Sequence, residues 1–107
     1  MKLYIAGPLR APTEAERDGN IARARNVAER LWQAGNFVFC PHMHTGPWDL
    51  YVQEQHIMNF GLWMIQHMDG LVLVEGWEQS DGAKAEIAEA KRRWVTVYES
   101  AAKVPGA

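Results

Sequence analysis

Hydrophobic residues occur along this chain in short runs that alternate with longer segments of helical periodicity. Four runs rich in β-branched and aromatic residues, bounded by Gly, Pro or Asp, are typical of buried strands: residues 2–6, 36–40, 70–74 and 94–98. A stripe formed by Ile21, Ala24, Ala28 and Leu31 predicts a first helix that ends before Gly35. The same periodicity predicts a second helix over about 52–67 and a third over about 81–93.

The resulting β-α-β-α-β-α-β order predicts an α/β fold, a three-layer α/β/α sandwich around a parallel sheet of four strands. Strands that alternate with helices of this length pair in parallel, because their crossovers are right-handed and place helices on both faces. The flavodoxin-like strand order 2-1-3-4 suits so short a chain. Ligands in such sheets bind beyond the carboxyl ends of the first and third strands, so residues 7–20 and 75–82 form the predicted ligand site.

Length and charge restrict the classes of function. The 107 residues have room for one domain, assigned to 1–98, with 99–107 as a loose C-terminal tail. A formal net charge of −2 provides no basic excess for binding nucleic acid or an anionic membrane. The apolar runs are too short to span a membrane, and the first residues lack the apolar stretch of a signal peptide, so we expect a cytoplasmic protein. No glycine-rich flavin loop follows the first strand, and we expect no cofactor.

The two predicted ligand loops contain residues suited to binding an anion. Gly7-Pro8 allows the backbone to turn sharply after the first strand, and Arg10 can reach a phosphate or carboxylate, although Gly-Pro pairs are also common in ordinary turns. Ser80 opens the third predicted helix, where the free backbone N–H groups and the helix dipole favour an anion. A plain N-cap explains Ser80 equally well.

Glu86 lies a little over one turn inside the third predicted helix, on a face shared with the small residues Gly82 and Ala83. Such small residues pack against a sheet or a ligand, whereas a solvated glutamate usually has polar neighbours. A solvated helix face is the alternative for Glu86. Tyr4 in the first strand needs a hydrogen-bond partner if it is buried, and a carboxylate from the neighbouring layer would serve.

Histidines and tryptophans offer further candidate chemistry. A metal site on His42, His44 and His56 is conceivable, but no HExxH motif or cysteine pair supports it, and we expect no metal. The tryptophans are expected to lie mostly in the core or the pocket wall. Trp77, in the loop after the third strand, is the tryptophan expected to contact a base or ring.

Several motifs together resemble the nucleoside 2-deoxyribosyltransferase-like family, which includes nucleoside 5′-monophosphate N-glycosidases. They are YIAGPL near the start, an asparagine and an alanine-rich first helix ending in AG, a proline after the second strand, and DGLVLVEGWEQSDGAKAEIAEA. The resemblance covers about residues 2–98, and its most specific part is the Ser-x-Gly-Ala-x-x-Glu segment from Ser80 to Glu86.

The resemblance implies a catalytic role for two residues and a binding role for several others. Glu86 would be the nucleophile and Tyr4 the residue that orients it. The sugar or its phosphate would be held by Gly7, Pro8, Leu9, Arg10, Ser80 and Gly82. Transferases of the family often have an aspartate at the place of Ser80, whereas hydrolases that bind a 5′-phosphate have serine there, so the resemblance favours hydrolysis of a nucleoside monophosphate. Relatives form dimers, which implies a homodimer or higher homo-oligomer here.

One position departs from the family pattern. The family commonly has an aspartate in the second helix where this sequence has Gly61, and this aspartate assists the leaving base or positions the sugar. Glu54, His44 and Asp49 are the candidate replacements as general acid. The competing hypothesis is therefore a noncatalytic module that binds nucleotides but does not turn them over. The sequence leaves the base, the sugar and the choice between hydrolysis and transfer open.

Overall fold

The computed structural model describes residues 1–45, 48 and 50–107. Its strands are β1 (Lys2–Ala6), β2 (Phe37–Phe39), β3 (Gly70–Leu73) and β4 (Thr96–Tyr98). Its helices are α1 (Glu14–Gln33), α2 (Pro41–His44), α3 (Glu54–Ile65) and α4 (Asp81–Arg92). Two short 3-10 turns cover Trp77–Gln79 and Ala101–Lys103.

The four strands form one parallel sheet in the order β2-β1-β3-β4, which confirms the predicted flavodoxin-like order. Leu3 pairs with Gly70 and Ala6 with Leu73, so the ends of β1 and β3 lie side by side. Beyond β1 and β3 the chain enters the two loops that were predicted to bind a ligand. At the opposite edge of the sheet, Asp69 Oδ2 accepts a hydrogen bond of 2.7 Å from the backbone N–H of Lys2.

Side-chain alternation along the strands divides the core into two layers. Leu3 and Ile5 pack against α1 on one face of the sheet. Tyr4 and Ala6 face the other side, in a cluster that includes Ile65 of α3. Tyr4 therefore enters the layer that α3 and α4 cover, which brings it close to the third predicted helix.

The helix boundaries follow local signals. The Thr13 hydroxyl accepts from the backbone N–H of Glu16 at 3.1 Å and caps the start of α1, and Gly35 at φ 93° follows its end. The second predicted helix is α3 of the structure. It begins at Glu54, two residues later than predicted, and β4 begins at Thr96 rather than at residue 94. The four-residue helix α2 was not predicted, because so short an element has no periodicity to detect. Within the described residues, no helix is both long and apolar enough to cross a membrane.

The C-terminal segment corrects one prediction. Residues 99–107 were expected to form a loose tail, yet Ala101 and Val104 are buried, with 6% and 2% of their surface exposed. Both belong to the core cluster on the α1 side of the sheet. Two apolar residues three apart lie on one side of a 3-10 turn, which explains why this segment can pack.

The tryptophans correct another prediction. Trp63 is 54% exposed and Trp94 is 94% exposed, so neither is buried in the core. Trp48 and Trp32 are also more than half exposed. Exposed aromatic surface of this kind is typical of an interaction face when several residues are contiguous.

Trp94 provides a stability prediction. It follows the C-terminus of α4 at φ 61°, a left-handed conformation that costs a non-glycine residue about 1 kcal/mol or more. Because its side chain is almost fully exposed, little packing would be lost on truncation. We expect Trp94→Gly to raise the free energy of unfolding by about 1 kcal/mol in urea denaturation. Trp94→Ala, which keeps the left-handed strain, should not do so.

Candidate active site

A cavity of ≈ 290 Å³ opens at the carboxyl edge of the sheet, between the loops that follow β1 and β3. Helix α3 forms its third wall. Its described lining includes most of the residues predicted for a ligand site: Tyr4, Gly7, Pro8, Leu9, Arg10, Glu54, Ser80, Gly82 and Glu86. The strand order β2-β1-β3-β4 brings these residues together, because it makes the ends of β1 and β3 neighbours.

Glu86 and Tyr4 meet at the base of this cavity. The Tyr4 hydroxyl donates a hydrogen bond to Glu86 Oε2, across 82 residues of sequence. Tyr4 is 1% exposed and Glu86 8% exposed, so the pair is almost completely shielded from solvent. The partner that buried Tyr4 requires is therefore this carboxylate.

Burial changes the acidity of both groups. Loss of hydration raises the pKa of Glu86 from 4.5 to about 7, while the hydrogen bond from Tyr4 acts in the opposite direction and lowers it. Burial, followed by the nearby Glu86 charge, raises the pKa of Tyr4 well above its ordinary value. Tyr4 thus remains a hydrogen-bond donor at neutral pH, and Glu86 changes between acid and carboxylate near neutrality. Carboxylates with such shifted pKa values in a cavity are candidates for catalysis.

Gly61 on α3 leaves the space that the Tyr4 hydroxyl occupies. A Cβ atom at position 61 would lie 2.5 Å from the Tyr4 hydroxyl oxygen and 3.5 Å from Glu86 Oε2. The first distance is too short for any side chain, whereas the second is an ordinary contact. The aspartate expected by resemblance at this position therefore cannot be present together with Tyr4 in this orientation.

The N-terminus of α4 forms part of the cavity wall. Ser80 is the N-cap of α4, and its hydroxyl oxygen accepts from the backbone N–H of Ala83 at 3.1 Å. The N-cap interpretation of Ser80 is therefore confirmed. A Cβ at Gly82 would lie 3.1 Å from Met58 Cε, so a small residue here allows α4 and α3 to approach closely.

The loop of residues 7–10, which we term the β1 loop, is packed tightly against the loop after β3. A Cβ at Gly7 would lie 2.6 Å from Val74 Cβ, and one at Gly76 would lie 3.2 Å from Pro8 Cγ. The β1 loop ends at Arg10, whose Nε lies 3.5 Å from Glu54 Oε1 of α3. Both side chains of this ion pair are largely exposed at the cavity mouth.

Comparison with known proteins gives one family match. Residues 1–99 match the family described as Domain of unknown function (DUF4406). The chain belongs to the DUF4406 family. No curated protein matches the sequence. The resemblance to nucleoside 2-deoxyribosyltransferases therefore stays a prediction for this DUF4406 protein.

Three predicted site residues of the DUF4406 chain are placed differently or not described. Trp77 was expected to contact a base, but it packs against the core cluster that contains Tyr4 and Ala6, because the turn at Gly76 (φ 94°) directs it onto the sheet. His44 is exposed and contacts the rings of Phe39 and Phe60 at centroid distances of 5.5 and 6.2 Å. Asp49 lies outside the described residues. Among the candidate acids that the structure describes, Glu54 lines the cavity.

Sequence reasoning missed part of the apolar wall. Ile57, Met58 and Phe60 of α3 line the cavity, whereas the sequence predicted only that they lie in a helix. The helical spacing that predicts a buried face does not distinguish a face that covers the sheet from one that covers a cavity. Phe39 of β2 also lines the cavity and stacks on Tyr4 at a centroid distance of 5.6 Å.

His42 was considered as a metal ligand, and the structure places it elsewhere. It is 5% exposed, and its Nε2 lies 3.0 Å from the carbonyl oxygen of Pro8. Within residues 1–45, 48 and 50–107, no three His, Cys, Asp or Glu side chains are grouped so that they could hold a metal ion. The three histidines of the alternative hypothesis are thus not assembled into a metal site in that part of the chain.

Proposed function

We propose that this protein cleaves the N-glycosidic bond of a nucleoside 5′-monophosphate or deoxynucleoside, or transfers its sugar, with Glu86 as nucleophile. The observation that carries this proposal is the buried Glu86 carboxyl, held by the Tyr4 hydroxyl at the base of the cavity. A carboxylate in this setting suits attack on an electron-deficient sugar carbon, because a water-poor site strengthens its interaction with an oxocarbenium-like transition state.

The proposed reaction has two steps. Ionised Glu86 attacks C1′ of the sugar, the C1′–N bond breaks, and its electron pair leaves with the base, which takes up a proton. Water then attacks C1′ of the glycosyl ester and passes a proton to the deprotonated general acid, which releases the Glu86 carboxylate and the sugar, as its 5′-phosphate when the substrate is a nucleotide. A second base in place of water would give transfer. Tyr4 orients Glu86 through its hydrogen bond. Glu54, which lines the cavity, is the candidate general acid that protonates the leaving base.

The phosphate would bind between the β1 loop and the N-terminus of α4. Arg10 provides a positive charge at the cavity mouth, and the first turn of α4 provides backbone N–H groups together with the positive end of the helix dipole. The Arg10–Glu54 ion pair is exposed, so it contributes only about 0–1 kcal/mol and can yield to a phosphate dianion.

Arg10→Gln is expected to raise KM for a nucleoside monophosphate by about 10- to 100-fold, because it removes a charged hydrogen bond to phosphate. KM for the matching nucleoside should change little. Steady-state kinetics on both substrates measure the two effects. Arg25→Gln, the same charge change at an exposed position of α1, is the matched control. An equal loss with the nucleoside would contradict phosphate binding by Arg10.

A noncatalytic nucleotide-binding module is the second candidate, and Gly61 favours it. A glycine at position 61 places no acid beside the Tyr4 hydroxyl and Glu86 Oε2. Incubation of the wild-type protein with nucleoside monophosphates and nucleosides, with and without an acceptor base, distinguishes the candidates by chromatography of the products. Free base indicates hydrolysis, and a new nucleoside indicates transfer. Saturable nucleotide binding without either product would support the module and refute the enzyme.

We further propose that the protein acts in the cytoplasm as a homodimer or higher homo-oligomer. Exposed apolar residues support assembly: Met43, Trp48, Leu50, Tyr51 and Trp63 are each more than half exposed. Light scattering is expected to give at least twice the mass of the 12.1 kDa chain. Trp63→Glu should shift the mass towards the monomer if Trp63 lies in the interface. A wild-type protein of monomeric mass would contradict the proposal.

A further inference from the structure

Two buried polar side chains hold consecutive carbonyl groups of the β1 loop. His42 Nε2 of α2 lies 3.0 Å from the Pro8 carbonyl oxygen, and Asn20 Nδ2 of α1 donates to the Leu9 carbonyl oxygen at 3.1 Å. His42 is 5% exposed and Asn20 8% exposed. Neither side chain has a role in the proposed chemistry, yet both bond the loop that leads to Arg10.

The hydrogen-bond partners of His42 determine its tautomer. A carbonyl oxygen only accepts, so Nε2 must carry the proton. Burial lowers the pKa of His42, with hydrogen bonds to Pro8 and Gly7 opposing this effect, so the ring is neutral at neutral pH. Nδ1 is then an acceptor, and the Cys40 thiol, with Sγ 3.9 Å away, is the group beside it. His42 thus links the end of β2 to the β1 loop.

Asn20 is oriented in a similar way. Its Oδ1 accepts a hydrogen bond of 2.5 Å from Arg23 Nη2, which leaves the amide nitrogen to donate to Leu9. The same loop contacts Val74 and Gly76 through Gly7 and Pro8, as described above. Helices α1 and α2, the segment after β3 and, through the Arg10–Glu54 ion pair, helix α3 therefore contact four successive residues that line the cavity.

We propose that His42 and Asn20 are positioning residues that hold the β1 loop in its ligand-binding conformation before a ligand arrives. Neither residue needs to touch the reacting atoms. A preorganised loop avoids the entropy loss of ordering on binding, and small displacements of a binding group can reduce rates and affinities strongly. The role in phosphate binding rests on the proposed function, whereas the role in holding the loop does not.

The first experiment uses the free protein and compares a variant that keeps the donor with one that removes it. The amide nitrogen of Gln can replace Nε2 of histidine, whereas Leu keeps much of the volume and donates nothing. Backbone order parameters of Leu9 and Arg10 are expected near 0.85 in the wild type and in His42→Gln, and below about 0.6 in His42→Leu. Asn20→Asp, which nearly conserves shape, should loosen the same residues. Unchanged order parameters in both variants that remove a donor, His42→Leu and Asn20→Asp, would overturn the proposal. A wild-type His42 that carries its proton on Nδ1 alone would also overturn it.

The second experiment measures affinity for ribose 5-phosphate, a probe that contains sugar and phosphate but no base. His42→Leu and Asn20→Asp are expected to weaken its binding by about 10-fold or more, with His42→Gln within about 2-fold of the wild type. The wild type could show the expected order parameters and yet neither release base nor bind ribose 5-phosphate. That result would contradict the proposed function and support the positioning role. Normal binding by both loss variants would overturn that role.

Discussion

Glu86→Gln is expected to abolish base release and at the same time to stabilise the folded protein above neutral pH. The amide cannot attack C1′, so kcat/KM should fall by roughly 10⁴-fold or more. In the wild type, the nucleophile must be ionised, so activity should rise with pH through about 7, the pKa of Glu86. Product analysis and a pH profile of kcat/KM measure both effects.

The stability effect has a definite sign. The folded protein holds the Glu86 proton more tightly than the unfolded chain, because burial raises the pKa from 4.5 to about 7. The unfolded state therefore binds fewer protons between these two values, and stability is lost as pH rises through them. The loss is complete above pH 7 and amounts to about 3 kcal/mol. The amide side chain in the Glu86→Gln variant does not titrate, so this variant avoids the loss of stability.

Urea denaturation at several pH values is the measurement. The advantage of Glu86→Gln over the wild type should grow by about 3 kcal/mol between roughly pH 4 and pH 8. Glu99→Gln, at an exposed position after β4, is the matched control and should show no comparable change with pH. A pH-independent difference for Glu86→Gln would show that the carboxyl is not held protonated in the folded state.

Gly61→Ala is expected to destabilise the protein although alanine is the better helix former. Alanine in place of glycine inside a helix normally stabilises by about 1 kcal/mol. Here the new Cβ would lie 2.5 Å from the buried Tyr4 hydroxyl, and overpacking of this kind costs about 1–3 kcal/mol. The clash also displaces Tyr4 from Glu86, so turnover should fall with stability.

A double-mutant cycle with Tyr4→Phe isolates the clash. Without the hydroxyl, the Cβ at position 61 meets only ordinary contacts, of which the Glu86 Oε2 distance of 3.5 Å is the shortest. Gly61→Ala should then stabilise the Tyr4→Phe variant, which gives a coupling energy of about 1–3 kcal/mol, the overpacking cost that the hydroxyl causes. Gly19→Ala is the matched control, because its Cβ would meet Arg23 at an ordinary 3.5 Å on helix α1. Additive effects of Gly61→Ala and Tyr4→Phe would contradict the proposed contact.

Glu86 and Tyr4 show why the site could be predicted only in part. Glu86 could be singled out because its neighbours on one helix face are small, and Tyr4 because a buried phenol needs a partner. Their mutual hydrogen bond spans 82 residues and depends on how α4 lies over β1. No local sequence pattern predicts a contact between residues so far apart in the chain. Gly61 was recognisable as a departure from the family pattern, but its contact with Tyr4 required the position of α3.

The sequence alone determined the parallel sheet, its strand order and the sheet edge at which the cavity lies. Hydrophobic periodicity records which face of each element is buried, and chain connectivity then limits how strands can be arranged. Tertiary structure alone decided the partners across layers: Glu86 for Tyr4, the Pro8 carbonyl for His42, and the core contacts of residues 99–107. Such partners depend on interlayer distances of a few ångström, which emerge only when all elements pack together.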